Sequence, residues 1–187
     1  GDGWRADCTD VAGVTGALKA AGYRSAGRPA LLLGAGGTAA AAVAGLADLG
    51  VRDVVMVVRD PARAADTERT AARVGLAVDV RRWSEVDFGA VAGGCDVVVS
   101  TVPSAAVRPH AAELAEAPCV LDVIYHPWPT KLAEAVAARN GRLVTGLDML
   151  LHQAFGQVEQ FTGRPAPREA MRAALKSATG TTVPLPL

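Results

Sequence analysis

The sequence is poor in the residues that mark several common protein classes. Aromatic residues make up only 4% of its 187 residues, so any large core must be built from aliphatic side chains. Its three cysteines stand far apart, at Cys8, Cys95 and Cys119. An odd number of cysteines, in no disulfide or metal-ligand spacing, indicates reduced thiols in a cytoplasmic protein. The three histidines, His110, His126 and His152, are each isolated, so we expect capping, loop and surface roles and no metal site.

The chain also has no charge excess, and its first residues predict no leader sequence. Nineteen Lys and Arg balance nineteen Asp and Glu, and the basic residues are dispersed, which argues against a nucleic-acid partner. The first residues, Gly-Asp-Gly-Trp-Arg, include no apolar stretch of the signal-peptide kind. Pro29–Ala47 has no charged residue, but it is mostly Ala and Gly, and a strand pattern followed by a helix pattern divides it. We therefore expect no membrane span.

Short β-branched runs alternate with Ala-rich stretches of helical pattern. The predicted strands are Ala30–Leu33, Asp53–Val58, Ala77–Arg82, Asp96–Ser100, Val120–Ile124 and Arg142–Val144. The predicted helices are Val11–Ala20, Gly37–Leu49, Pro61–Val74, Ser84–Val91, Ala105–Glu116, Thr130–Arg139, Leu147–Phe161 and Arg168–Lys176, with a frayed tail from Gly180. Several strands are apolar at every position, which is typical of parallel strands buried on both faces. The pattern predicts an α/β fold: a doubly wound, Rossmann-like parallel sheet, Ala-rich helices on both faces, and extra terminal helices.

A glycine-rich turn follows the first predicted strand. Leu31-Leu32-Leu33 runs into Gly34-Ala35-Gly36-Gly37-Thr38-Ala39, which has the form Gly-x-Gly-x-x-Ala. In this pattern Gly34 makes the tight turn, Gly36 lets a pyrophosphate approach the backbone, and Ala39 lets the helix pack closely. The helix N-terminus then offers free N–H groups to phosphate. The turn predicts a dinucleotide site that includes residues 34–38.

The end of the second strand bears on which dinucleotide binds. An acidic residue there suits the ribose of NAD, whereas arginine suits the 2′-phosphate of NADP. The chain reads Arg59-Asp60-Pro61-Ala62-Arg63, so Arg59 and Arg63 favour NADP, and NAD is the less favoured cofactor. Asp60 leaves two interpretations open: it either serves an NAD ribose or N-caps the helix that Pro61 begins.

Four further motifs resemble one enzyme family. They are Asp7-Cys8-Thr9-Asp10-Val11-Ala12-Gly13, Ser100-Thr101-Val102-Pro103, Asp122-Val123-Ile124-Tyr125-His126-Pro127-Trp128-Pro129-Thr130 and Gly146-Leu147-Asp148-Met149-Leu150-Leu151-His152-Gln153-Ala154. In this order they resemble the shikimate dehydrogenases, in particular actinobacterial-type sequences, over essentially the whole chain. The last motif is the most specific.

The resemblance implies NADP-linked interconversion of 3-dehydroshikimate and shikimate, a small-molecule substrate pair of aromatic amino-acid and chorismate biosynthesis. By matching motifs, Asp10 is the catalytic carboxylate, which in the family works with a lysine of a preceding domain. Thr9, Asp10, Tyr125 and Gln153 would bind substrate. The cofactor would be lined by Gly34, Ala35, Gly36, Gly37, Thr38, Arg59, Asp60, Arg63, Ser100, Thr101, Val102, Val123, Gly146 and Met149. Cys8 replaces the family's Asn, and Ala40 stands where many members carry Arg.

The motifs of the family's N-terminal substrate domain do not occur in this sequence. Neither Lys19 nor Lys131 matches the position of the catalytic lysine. We therefore expect residues 1–25 to form the crossover and hinge helix from that domain, 26–146 the dinucleotide-binding domain, and 147–187 the closing helices and tail. The isolated chain is expected to bind cofactor and to turn over little or nothing.

Simpler interpretations of the same residues stay open at this point. Thr9 and Asp10 fit an N-cap, Tyr125 fits a core position with its hydroxyl in water, Gln153 fits a surface position, and Met149 fits the core. Two other functions also stay open. One is an NAD-preferring quinate/shikimate-type dehydrogenase; the other is a non-catalytic NADP-binding module, for example a homodimer.

Overall fold

The chain folds around one six-stranded sheet. The computed structural model describes Gly3 and residues 6–181 and 183–187; Gly1, Asp2, Trp4, Arg5 and Thr182, on which parts of the terminal predictions fall, lie outside the described residues. The strands are β1 Ala30–Leu33, β2 Asp53–Val58, β3 Ala77–Arg82, β4 Val97–Ser100, β5 Cys119–Asp122 and β6 Arg142–Thr145. The helices are α1 Thr9–Ala20, α2 Gly37–Asp48, α3 Ala65–Arg73, α4 Phe88–Gly93, α5 Ser104–Val107, α6 Ala111–Leu114, α7 Lys131–Ala138, α8 Gly146–Thr162 and α9 Arg168–Thr179.

The strand order is that of a doubly wound α/β fold. The strands lie in the order β3-β2-β1-β4-β5-β6, and every neighbouring pair is parallel. The chain therefore winds outward in one direction from β1 to β3 and in the other from β4 to β6. This reversal opens a crevice beyond the carboxyl ends of β1 and β4, where such sheets bind ligands. The predicted fold class is confirmed.

Aliphatic side chains fill both faces of the sheet. Alternate residues of β1 point to opposite faces: Leu32 belongs to one buried cluster, while Leu31 and Leu33 belong to the other. The first cluster includes Val14 of α1 and the second includes Leu132 of α7. All four residues of β1 are fully buried, as expected for a central strand covered by helices on both sides.

The first and last long helices are part of the same packed unit. Contacts place Gly13 of α1 beside Met149 and Gln153 of α8, and Gly16 beside His152. A Cβ on Gly13 would lie 2.8 Å from the Met149 carbonyl oxygen, so glycine is what lets the two helices approach this closely. Because Met149 shares a buried cluster with the sheet, α1 and α8 are fixed against it.

Three predicted helices differ from the observed ones. The predicted helix Pro61–Val74 is a 3₁₀ turn, Pro61–Arg63, followed by α3. The predicted helix Ser84–Val91 was placed too early, because the Asp87 carboxylate accepts from Ala90 N at 3.0 Å and so caps α4 from Phe88. The predicted helix Ala105–Glu116 is split into α5 and α6 by the 3₁₀ turn Arg108–His110, whose proline lacks an N–H.

The prediction of a frayed tail is wrong for residues 183–187. Leu185 is completely buried among Leu147, Leu151 and Phe155. His152 Nε2 lies 2.9 Å from the Pro186 carbonyl oxygen, so this nitrogen carries the proton and donates to it. The predicted surface role of His152 is therefore also wrong, since its side chain is buried beneath the tail.

The uncharged run Pro29–Ala47 is divided between β1 and α2, as its pattern predicts. Among the residues that the structure describes, no helix combines the length and hydropathy that crossing a bilayer requires.

Candidate functional site

A cavity of about 700 Å³ opens at the carboxyl ends of β1, β2 and β4. It lies at the point where the strand order reverses, which is the general ligand position in this class of sheet. Its walls are Gly34, Ala35, Gly36, Val57, Val58, Arg59, Asp60, Arg63, Trp83, Thr101, Val102, Pro103, Ala105 and Ala106. Eight of the predicted cofactor residues are therefore brought together: Gly34, Ala35, Gly36, Arg59, Asp60, Arg63, Thr101 and Val102.

Gly34 is required by the packing of the chain itself. Its φ is +104°, and a Cβ there would lie 2.5 Å from Thr101 Oγ1 and 3.1 Å from Val102 Cγ1. Thr101 Oγ1 donates to the Leu33 carbonyl at 2.8 Å, and Gly34 N donates to the Val57 carbonyl at 2.9 Å. The turn after β1 is thus tied to both neighbouring strands, and only glycine fits it without strain.

Gly36 and Gly37 have no such packing reason. A Cβ on either residue would meet no protein atom within 4 Å. Gly36 is the N-cap of the 12-residue helix α2, and no side chain caps that helix end or places a carboxylate in its first turn. Free N–H groups and the positive end of the helix dipole there favour an anion. The open space at Gly36 fits a pyrophosphate that approaches the backbone closely.

The end of β2 presents two cations to the cavity. Arg59 and Arg63 are both exposed, and neither takes part in an ion pair between described residues. The Asp60 carboxylate accepts from Ala62 N at 3.1 Å and N-caps the 3₁₀ turn that Pro61 begins. Of the two interpretations of Asp60, the capping one is what the structure shows. One carboxylate oxygen is engaged locally, while both guanidinium groups are available to a phosphate.

The other predicted cofactor residues are not among those that line the cavity; they are Gly37, Thr38, Ser100, Val123, Gly146 and Met149. Gly37 and Thr38 continue into α2, and Ser100 is buried at the end of β4. Val123 N donates to the Ser100 carbonyl at 3.1 Å, so the chain after β5 stays against the end of β4. Gly146 begins α8 in direct contact with this segment, because a Cβ on it would lie 2.1 Å from the Val123 carbonyl oxygen.

Tyr125 and Gly146 lie together at the same edge of the sheet, and Met149 follows Gly146 about one turn along α8. A Cβ on Gly146 would lie 3.0 Å from the Tyr125 ring, and Tyr125 itself is 47% exposed. The core interpretation of Tyr125 is therefore wrong, and its hydroxyl group is free to meet a ligand. Met149 is only 7% exposed and packs in the buried cluster around β1.

The first turn of α1 lies against α8. Gln157 Nε2 donates to Thr9 Oγ1 at 3.0 Å, and Gln153, half-buried, packs against Gly13 one turn further along α1. The N-cap interpretation of Thr9 and Asp10 is wrong: the N-cap is Cys8, and both residues belong to the first turn of α1. Among the described residues, no side chain hydrogen bonds to the Asp10 carboxylate, which leaves it available to an external partner.

A row of buried polar side chains supports this edge from beneath. Ser100, Asp122 and Thr145 are paired in register across β4, β5 and β6. Burial raises the pKa of the Asp122 carboxyl, which accepts from Thr130 Oγ1 at 2.7 Å. Burial also raises the pKa of Asp148, whose Oδ2 accepts from Thr145 N at 2.7 Å in a capping box that fixes the start of α8.

Trp83, Pro103, Ala105 and Ala106 line the cavity and were not predicted from the sequence. One signal pointed to Trp83: it follows β3 immediately, and β3 is predicted to end at the same edge of the sheet as β2. Pro103 ends the Ser100–Pro103 motif, and Ala105 and Ala106 begin the predicted helix Ala105–Glu116, whose pattern does not indicate which side faces the ligand.

Comparisons with known proteins point to one family. Residues 146–176 match the model of the shikimate 5′-dehydrogenase C-terminal domain. The chain is 34% identical over 180 residues to the shikimate dehydrogenase (NADP(+)) of Moorella thermoacetica, covering 92% of this chain and 61% of that protein. It is 49% identical to the crystal structure of Mycobacterium tuberculosis shikimate dehydrogenase, with a TM-score of 0.85 over 94% of this chain and 65% of that one.

A quinate dehydrogenase from Corynebacterium glutamicum, solved in complex with NAD, is also similar. It has 25% identity and a TM-score of 0.80, covering 91% of this chain and 62% of that one. The chain spans about three fifths of the length of the curated relatives that it matches. The sequence identity, the fold similarity and the match at residues 146–176 agree with the resemblance that the sequence motifs predict. Over this span the chain is similar to the shikimate dehydrogenases, and residues 146–176 match the C-terminal domain of that family.

Proposed function

We propose that this chain is the cofactor-binding part of an NADP-dependent shikimate dehydrogenase, which interconverts 3-dehydroshikimate and shikimate. The observation that carries the proposal is the cavity at the reversal of the strand order, with an uncapped glycine turn on one side and Arg59 and Arg63 on the other. Relatives named as NADP(+) shikimate dehydrogenases support both the cofactor and the reaction.

The residues around the cavity fit the parts of NADP. The backbone N–H groups at Gly36, Gly37 and Thr38 would hold the pyrophosphate, as the helix end offers them without a protein partner. Arg59 and Arg63 would pair with the 2′-phosphate, because guanidinium groups bind phosphate in a bidentate way. The remaining predicted contacts, from Ser100, Val123, Gly146 and Met149, would border the nicotinamide half.

The substrate would meet Asp10, Tyr125 and Gln153. Bound NADPH supplies the hydride that reduces the substrate ketone. The protein must then place a proton donor at the ketone oxygen, where negative charge develops. We assign that position to the Asp10 carboxyl group working with a cation, and we assign hydroxyl contacts to Tyr125 and Gln153.

Among the described residues, no lysine pairs with the Asp10 carboxylate. Lys19 stands nine residues further along α1, about 13 Å along the helix axis. Lys131 pairs with Glu134 at 2.6 Å, and Lys176 lies in the last turn of α9. We therefore propose that this chain by itself binds the cofactor and gives little or no turnover.

The proposed organisation keeps the predicted boundaries. We assign residues 1–25 to the crossover and hinge, 26–146 to the dinucleotide-binding unit, and 147–187 to the closing helices and tail. A small-molecule substrate and a cytoplasmic location follow from the proposed enzyme. A homodimer, also predicted, is tested by the mass of the chain in solution.

A parallel titration with NADPH and NADH tests the cofactor. We expect NADPH to bind at least about tenfold more tightly, since one additional charge-assisted contact is worth about that factor. Equal or tighter binding of NADH would contradict the NADP assignment. Binding of neither would contradict the dinucleotide site as a whole. Wild-type-like reduction of 3-dehydroshikimate by the isolated chain, followed through NADPH absorbance, would contradict the assigned need for a partner cation.

An NAD-preferring quinate/shikimate-type dehydrogenase is the second candidate. Asp60 at the end of β2 and the similarity to the quinate dehydrogenase solved with NAD favour it. The Asp60→Asn variant separates the two candidates. If Asp60 only caps the 3₁₀ turn, NADH affinity is unchanged in this variant; if Asp60 binds the ribose of NAD, NADH affinity falls.

A further inference from the structure

Trp83 stands at the junction between the sheet and the cavity. It begins the 3₁₀ turn Trp83–Glu85 directly after β3. Val58 of β2 pairs with Arg82 of β3, so the next residues, Arg59 and Trp83, leave the sheet side by side. Both line the cavity.

Packing on Phe88 fixes the position of the Trp83 indole. The Trp83 ring packs on Phe88 with ring centroids 4.9 Å apart, and Phe88 in turn packs on His110 at 4.2 Å. Phe88 is only 2% exposed, so this support belongs to the core and not to the surface. Trp83 itself is half-buried and shared between the core cluster and the cavity wall.

The end of β2 is tied to the end of β3. Arg82 Nη1 donates to the Arg59 carbonyl oxygen at 3.4 Å. This contact keeps the cationic side of the cavity next to the indole. Small apolar side chains, Ala105 and Ala106 of α5, belong to the wall contributed by the segment after β4. The result is a cavity with an aromatic wall, small aliphatic residues and two adjacent arginines.

We propose that Trp83 forms the stacking wall for the adenine base of the bound dinucleotide and sets affinity for its adenosine half. The inference rests on the proposed function. A flat aromatic base gains from stacking on an aromatic face, while a phosphate on the neighbouring ribose reaches the adjacent arginines. Adenine is common to NADPH and NADH, so Trp83 contributes equally to both, whereas Arg59 and Arg63 act only on the 2′-phosphate.

Fluorescence provides the direct test. The chain has three tryptophans, at Trp4, Trp83 and Trp128, so the W4F/W128F variant leaves Trp83 as the only reporter. The probes are 2′,5′-ADP and 5′-ADP, which carry adenine and ribose phosphates but no nicotinamide. We expect each probe to change the Trp83 emission in a saturable way, at the dissociation constant that calorimetry gives for the wild-type chain.

Binding by Trp83 variants gives the second readout. Trp83→Ala should weaken NADPH and NADH by the same factor, about fivefold or more, since stacking of one base on an aromatic side chain is worth about that much. Trp83→Phe keeps an aromatic face and should retain most of the affinity. W128F is the matched control and should bind both nucleotides as the wild type does. Should Trp83→Ala fail to fold, Trp83→Phe and the fluorescence titration still decide the question.

Three results would overturn the inference while leaving the proposed function standing. One is unchanged Trp83 emission at saturating 2′,5′-ADP. Another is wild-type affinity in folded Trp83→Ala. The third is a loss confined to NADPH, which would place Trp83 on the phosphate side. A wild-type chain that binds neither NADPH nor NADH would instead contradict the proposed function itself, and the inference with it.

Discussion

Substitution by alanine should affect different properties at the two glycines of the turn after β1: stability at Gly34 and NADPH affinity at Gly36. At Gly34 the backbone φ is +104°, and a Cβ would lie 2.5 Å from Thr101 Oγ1. At Gly36 the φ is −88° with ψ −170°, an extended conformation that any residue adopts, and a Cβ would meet no protein atom. Gly34→Ala therefore tests the fold, and Gly36→Ala tests the ligand site.

The expected cost of Gly34→Ala has two parts. An L-residue in the left-handed region costs roughly 1–2 kcal/mol. Displacement of Thr101, whose hydroxyl donates to the Leu33 carbonyl at 2.8 Å, removes one more bond worth about 1 kcal/mol. The free energy of unfolding should thus fall by roughly 2–3 kcal/mol, which lowers Tm by about 5–10 °C in a chain of this size.

Gly36→Ala should leave the stability within about 0.5 kcal/mol of the wild type. The lower entropy of the unfolded chain stabilises the fold, and the weaker N-cap offsets that gain. Its methyl group, however, would stand where a pyrophosphate approaches the backbone, so NADPH affinity should fall at least about tenfold. Urea unfolding followed by circular dichroism measures the first quantity, and calorimetric titration measures the second.

Two results would refute this reasoning. If Gly36→Ala loses as much stability as Gly34→Ala, a Cβ at Gly36 does meet other atoms in the folded chain. If folded Gly36→Ala binds NADPH as tightly as the wild type, Gly36 is not where the ligand approaches the backbone.

Three further predictions follow from the same structure. Arg63→Ala should weaken NADPH binding about tenfold and leave NADH binding unchanged, because a charge-assisted phosphate contact is lost. The control Arg73→Ala, at an exposed position in the last turn of α3, should leave the affinity for both nucleotides unchanged. Gly146→Ala should destabilise the chain by at least about 3 kcal/mol in urea unfolding, since its Cβ would lie 2.1 Å from the Val123 carbonyl oxygen. The control Gly156→Ala, in the same helix, should be neutral or stabilising. Equal effects of the two substitutions would contradict the close contact at Gly146. Burial lowers the pKa of His152, so the unfolded chain binds more protons than the folded chain, and the free energy of unfolding should fall as the pH is lowered from about 7 to about 5. His152→Gln should reduce this dependence of the unfolding free energy on pH. An unchanged dependence in the variant would assign it to other groups.

The parts of the fold that local patterns encode could be predicted from the sequence. All six strands were located: β1, β4 and β5 are buried at every residue and form short apolar runs, whereas β3 is recognised by the alternation of Val78 and Val80 with polar residues. The glycine turn was also predicted, since Gly34 and Gly36 occur in a strand–turn–helix context that fixes their positions at the cavity. The capping role of Asp60 was one of two predicted options, and the structure shows it in the hydrogen bond that the Asp60 carboxylate accepts from Ala62 N.

The features that were missed depend on contacts between distant parts of the chain. Leu185 becomes buried only because α8 and α9 create an apolar groove for it, which no local pattern in a short tail reveals. Trp83 lines the cavity because β3 lies beside β2 and Phe88 supports its ring from a later helix. The helical pattern of 105–116 was correct in its apolar spacing, but the proline in its middle prevents one continuous helix.

The most direct test of the central claim is to map the NADP+ contacts on the chain by amide chemical shifts in solution. The account predicts that saturating NADP+ shifts the amides of residues 34–38, 59–63 and 101–106, while those of α9 stay in place. Two results at saturating NADP+ would contradict the claim that this cavity is the dinucleotide site. One is that the shifted amides lie mainly elsewhere in the chain; the other is that the amides around Gly36 do not shift.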